Sequence, residues 1–197
     1  MRPQILVPVH TYPDGNAVSL AGHVAATATH LGADVHALVL NADFPRPANV
    51  LGNALLDMPA MIGGAKEKCR ERGEAVLKAI ERELGQKGVP LRTSKTECFP
   101  GLVGEIVSRS ALYHDFVLVG ISASDVAMQD TAEAVIFGSG KPTLLVPESA
   151  PVSNFDRVMI AWDASRVAAR AISDARDFLQ RAKTVTVVSV TDEKALP

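Results

Sequence analysis

Near the start of the chain, Ile5-Leu6-Val7-Pro8-Val9 is apolar at every position, without the alternation of a strand that has one face in water. A strand of this kind is buried on both faces. It calls for helices above and below its sheet, and so for parallel strands joined by helical crossovers. The rest of the chain keeps to that pattern. From Asn16 to Leu31 the apolar positions Ala17, Leu20, Ala21, Val24, Ala28 and Leu31 recur at helical spacing, and Gly32 supplies a left-handed stop. Val35 to Leu40 reads as a second strand. After a Pro- and Asn-containing connection over Asn41 to Met58, a helix is predicted from about Ala65 to Lys87, with Gly88 ending it. Leu91 to Thr96 is a more polar strand suited to a sheet edge. Leu102 to Ser110 reads as a helix and Phe116 to Val119 as a strand closed by Gly120. Asp130 and Glu133 read as a capping-box pair ahead of a helix ending at Phe137, before the strand Thr143 to Val146. The five β/α repeats predict an α/β fold with an open five-stranded parallel sheet and helices on both faces, because each crossover is right-handed.

Composition narrows the function classes. Twenty basic residues stand against 22 acidic ones, for a net charge of −2 and no long run of either sign, so neither a nucleic-acid footprint nor a polybasic membrane anchor is expected. No apolar stretch approaches the roughly 20 residues of a membrane helix. Met1-Arg2-Pro3-Gln4 runs straight into a strand rather than a signal-peptide core. Cys69 and Cys98 lie far apart without metal-ligand spacing, which favours a reducing compartment, and the expected location is cytoplasmic.

Pro147 to Ser153, with two prolines and two serines, reads as a linker, and after Asn154 the pattern restarts. Val158-Met159-Ile160-Ala161-Trp162-Asp163 matches Ile5 to His10 in character. A helix follows from Ser165 to Arg181, and Val185 to Val190 is the counterpart of Val35 to Leu40. The expected organisation is a complete domain over 1–147, a linker over 148–156 and an incomplete second domain, β-α-β, over 157–197. Two parallel strands and one helix cannot cover their own apolar faces. The second copy is therefore expected to need another surface, from its own first domain as an intramolecular pseudo-dimer or from a second chain as a homodimer.

These residues resemble the universal stress protein family in its tandem, two-domain bacterial form. The strongest match runs from Val158 to Val190. It contains Ala161-Trp162-Asp163-Ala164-Ser165-Arg166, Ala168-Ala169-Arg170-Ala171, Asp174-Ala175 and the strand Val185 to Val190, with Ala164 where the family usually has Gly. A second match is Ala132-Glu133-Ala134-Val135-Ile136-Phe137-Gly138-Ser139-Gly140-Lys141-Pro142, leading to Val146-Pro147, and Val117-Leu118-Val119-Gly120 adds a third. The resemblance is weakest between Asn41 and Thr96. It implies strand order 3-2-1-4-5, with a crevice outside the carboxyl ends of strands 1 and 4. It also implies that His10 to Asn16 and Gly120 to Asp130 flank a pocket in which some family members bind ATP.

Members that bind ATP carry Gly-x-x-Gly-x9-Gly-Ser/Thr after strand 4, where glycines let backbone N–H groups reach the phosphates. Here Gly120 fits the first position, but the second falls on Ala123 and the third on Glu133. Gly138-Ser139 comes five residues late and reads as a helix C-terminal turn, with Lys141 near the negative end of the dipole. Binders also end strand 1 with Asp; this chain has His10 there, and the Asp survives only as Asp163, which is equally suited to capping its own helix. The candidate ligand residues are thus His10, Gly120, Ser122, Ser124 and Asp163. Set against them are local hydrogen bonding for His10 and loop capping for Ser122, Ser124 and Asp125.

No catalytic or metal site is expected. His23 and His30 lack acidic partners in ligand register, His36 alternates within a strand, and His114 reads as part of a solvent-facing loop. Cys69 falls on a buried stripe, and Cys98 is placed where exposure is open to it. There is no G-x-G-x-x-G after strand 1 and no G-x-S-x-G elbow. Lys141-Pro142 precedes the fifth strand, where a phosphoryl-accepting receiver would have it following. The leading expectation is a non-enzymatic stress-response protein that acts through dimerisation or partner binding and has a degenerate nucleotide pocket. The alternative is an adenine-nucleotide module that takes ATP or AMP in the same crevice.

Overall fold

In a computed structural model, described here over residues 2–44, 58–152 and 154–190, the chain forms two compact units, Met1–Val152 and Ser153–Pro197. The first unit runs β1 (Gln4–His10), α1 (Leu20–Leu31), β2 (Asp34–Ala42), α2 (Met58–Lys87), β3 (Leu91–Cys98), a 3-10 turn (Pro100–Leu102), α3 (Val103–Ala111), β4 (Phe116–Ile121), α4 (Val126–Gly138) and β5 (Thr143–Pro147). All pairings are parallel, and the order is β3-β2-β1-β4-β5, as the resemblance implied.

The two-sided burial of β1 organises this unit. Ile5, Leu6, Val7 and Val9 are all buried, and successive side chains serve opposite faces. Leu6 joins Leu38, Leu40, Val117 and Val119 in a cluster with Val107 and Ala111 of α3 and Ala132 and Val135 of α4. The other face lies under α1 and α2, which pack on each other, and it buries Val24, Ala28, Val76, Ile80 and Leu84. Cys69 is buried on the expected stripe of α2. Gly32 caps α1 at φ 63°, its N–H donating to the carbonyls of Ala28 and Thr29, a backbone shape that costs glycine least.

Several local expectations need correction. Helix α2 starts at Met58 rather than near Ala65, because the Gly63-Gly64 pair weakened the helical signal of its first turns. Asp130 and Glu133 are not a capping box. They lie inside α4, whose cap is Asp125, its Oδ1 accepting from the N–H groups of Ala127 at 2.9 Å and Met128 at 3.2 Å. His114 does not face solvent. It is buried against His36, with ring nitrogens 3.0 Å apart, and its Nδ1–H donates to the Ser110 carbonyl. Cys98 is buried in the α3/α4 core, and burial pushes its thiol pKa up, against reactivity.

The second unit is β6 (Arg157–Ala161), α5 (Arg166–Asp174), α6 (Arg176–Arg181) and β7 (Thr184–Val188), with β6 and β7 parallel. The single helix expected from Ser165 to Arg181 is broken at Ala175, which lies outside helical geometry at φ −84°, ψ 7°. All five residues of β7 are exposed.

Helices α3 and α4 cross closely at Gly104, where an added Cβ would lie 2.7 Å from the Cβ of Ala134. Gly104→Val should therefore force these helices apart and destabilise the first unit by about 1–3 kcal/mol, the usual cost of overpacking. Denaturant unfolding of the two proteins measures this, and equal midpoints would show that the crossing is not tight.

Candidate functional site

The strand order reverses between β1 and β4, so the loops after these strands frame a crevice at their carboxyl ends. After β1 the chain turns back on itself, with the Asn16 N–H donating to the His10 carbonyl at 3.0 Å. The His10 N–H donates to Asn16 Oδ1 at 2.6 Å, which fixes that amide with Nδ2 facing away as a donor. Arg72 of α2 donates to the Pro13 carbonyl and Thr11 Oγ1 to the Leu40 carbonyl, so the turn is held from the neighbouring helix and strand.

Glu148 enters the crevice from the end of β5. It is 8% exposed. Its Oε1 accepts from Asn16 Nδ2 at 2.5 Å and its Oε2 from the Ala17 N–H at 2.8 Å. Gly120 lies directly beneath: an added Cβ would collide with Glu148 Oε1 and come within 2.9 Å of Asn16 Nδ2. The glycine that fitted the first position of a phosphate-binding motif here makes room for the protein's own carboxylate. Burial raises the Glu148 pKa and the nearby Asp125 charge adds to that, while the hydrogen bonds from Ala17 and Asn16 oppose it.

The remaining sequence candidates separate. His10 is buried beside the crevice, with Nε2 lacking a partner. Burial lowers its pKa from 6.5 to about 4, and the charge of Asp125 offsets only part of the shift. Ser122 and Ser124 sit on the loop after β4 with their hydroxyls 3.0 Å apart, bonded to each other. Asp163 belongs to the second unit, where its Oδ1 accepts from the Ser165 N–H at 2.9 Å. The cap of α5 is Ser165, which accepts from the Ala168 N–H at 3.0 Å. Sequence reasoning did not single out Asn16 or Glu148. A polar residue directly after an apolar strand and Pro147 was the only signal, and the segment read as linker absorbed it.

A cavity of about 210 Å³ adjoins the crevice, lined by His10, Tyr12 and Ala42 at the strand ends and by α3 and α4, including Glu105, Asp130 and Thr131. Among the described residues its charged groups are carboxylates, and no Lys or Arg lines it. The fit to a nucleotide's phosphates is poor on three counts. The N–H groups that open α4 are held by Asp125, the Ala17 N–H is held by Glu148, and among the described residues the charged side chains that line the cavity are the carboxylates of Glu105 and Asp130. Among the described residues no group of three or more His, Cys, Asp or Glu is arranged to hold a metal, and no helix is long and apolar enough to cross a membrane.

The first unit is an open, doubly wound α/β domain with a self-filled switch point. Its fold is that of the universal stress proteins. The chain aligns with a universal stress protein from Archaeoglobus fulgidus DSM 4304 at TM-score 0.62 and 15% identity, over 97% of this chain and 69% of that one. It also aligns with a protein of the universal stress protein family from Burkholderia pseudomallei at TM-score 0.50 and 21% identity, over 74% of this chain and 96% of that one. No family model and no curated protein matches the sequence.

The His10 shift carries a pH dependence. Its pKa is lower folded than unfolded, so between these values the unfolded chain binds more protons and stability rises with pH. Stability should be full above about pH 6.5 and fall as the pH drops toward about 4, by up to roughly 3 kcal/mol from this group. His36, also lowered to about 4 by burial and then by Arg92 and His114, adds to the same slope. Urea unfolding of wild type and His10→Gln from pH 7 to pH 4.5 should show a shallower slope in the variant. Identical slopes would remove His10 from the account.

Proposed function

We propose that this protein is a universal stress protein of the kind that works without nucleotide, as a non-enzymatic cytoplasmic component acting through dimerisation or partner binding. One observation carries the reading: Asp125 and Glu148 take up the backbone donors at both sides of the switch point, where this fold otherwise has N–H groups free for an anion. An incoming phosphate would have to displace a carboxylate and sit among others, so Coulomb repulsion and lost hydrogen bonds both oppose it.

Association is supported by the surface of the first unit. Leu112, Tyr113, Ile136 and Phe137 are exposed around the ends of α3 and α4, with Tyr113 and Phe137 each 85% exposed. Both cysteines are free and buried, which suits a reducing compartment.

The rival reading, an adenine-nucleotide module, draws on the cavity beside His10. Calorimetric titration of the full chain with ATP and AMP separates the two. The expected result is no saturable heat with either, together with a light-scattering mass above that of one chain. Saturable micromolar binding would overturn the proposal in favour of the module, and a strictly monomeric mass would remove its dimer form.

A further inference from the structure

The hydrogen bonds of Glu148 do more than fill the crevice. They fasten the chain beyond β5 to the start of α1. The Glu148 carbonyl accepts from Ser19 Oγ at 2.9 Å, and the Ala150 carbonyl accepts from His23 Nε2–H at 3.1 Å. Farther along, a Cβ added at Gly22 would lie 3.0 Å from Val152 Cγ2, so the strap still touches α1 there. Residues 148–152 therefore lie along the first turns of α1, on the way to the second unit.

At the head of this strap the geometry is that of a ligand in its site. With Oδ1 committed to the His10 N–H, Asn16 turns Nδ2 toward Glu148, and both Nδ2 and the Ala17 N–H are donors only. Two convergent donors, one buried and one part-buried, are met by two acceptor oxygens, and one carboxylate supplies both. Gly120 leaves the floor open for it. Asp125 stands close enough for its charge to be felt at Glu148, with His23 offsetting part of it, so a second negative charge in the site meets repulsion.

We propose that Asn16 and Ala17 form a binding site for a carboxylate, occupied in cis by Glu148, which a carboxylate from outside can fill in its place. The ligand class is a carboxylate monoanion, such as a small organic acid or an acidic group on a partner protein. The inference rests on the reading that this crevice does not take phosphates.

The test is amide hydrogen exchange on the full chain, followed at Ala17 and over residues 148–152, in wild type, Glu148→Ala and Glu148→Gln. Removing the carboxylate should speed exchange at Ala17 by about tenfold, the equivalent of one net hydrogen bond. Acetate or formate should restore protection at Ala17 saturably in Glu148→Ala. Glu148→Gln retains the bulk but must turn an NH2 group toward one of the two donors, so it should exchange faster than wild type and gain nothing from acetate. Unchanged exchange in Glu148→Ala, or loss of protection that no carboxylate restores, overturns the site. Restoration by inorganic phosphate as strong as that by acetate would overturn the charge argument and with it the reading of a crevice closed to phosphates. Failure with both anions leaves that reading standing and sinks only the carboxylate site.

Discussion

The hydrogen bond from Asn16 Nδ2 to Glu148 Oε1 joins the loop after the first strand to the end of the fifth, 132 residues apart. Its geometry is settled upstream. Asn16 is oriented by the backbone of His10, His10 ends the strand at the centre of the sheet, and that strand is buried on both faces. A buried carboxylate is costly unless its oxygens are matched, and here each has a donor. The central strand, the turn after it and the strap beyond β5 therefore form one cooperative unit. Loosening any of them leaves an unmatched polar group in the crevice.

That arrangement changes the meaning of a glycine. At the end of a parallel strand next to a switch point, glycine commonly marks a close approach of backbone to a ligand phosphate. Gly120 marks a close approach as well, but of Glu148 and Asn16. The motif position persists while the group above it belongs to the chain. Asp125 has made the same substitution at the next helix, giving the opening N–H groups of α4 an internal acceptor. Two carboxylates in the two places where a doubly wound domain offers free donors turn an anion-receptive crevice into a self-satisfied one.

The fold was legible because it rests on local signals that agree. The unbroken apolar run of β1 demanded cover on both faces, each later strand was followed by a helix-length periodic segment, and right-handed crossovers left few orders for the sheet. Expectations failed where two local readings competed and tertiary contact decided. Asp130 with Glu133 had capping-box chemistry, yet Asp125 began the helix earlier and buried that pair's turn within α4. His114 looked like a loop residue because its partner, His36, lies 78 residues away in another strand. Glu148 was illegible for the same reason, since nothing in Pro147-Glu148-Ser149 distinguishes a linker carboxylate from one buried against Asn16.

The strap also limits the conformations open to the residues that follow β5. Whatever holds Glu148 holds the first five residues of the connection, and through Ser19 and His23 it holds them along one helix. A segment tied in this way has less conformational freedom than its composition of Pro, Ser and Ala would suggest, because residues bound to α1 no longer sample loop conformations. The crevice and the segment after β5 thus meet at one residue, whose side chain closes the crevice while its backbone carbonyl and that of Ala150 tie the segment to α1.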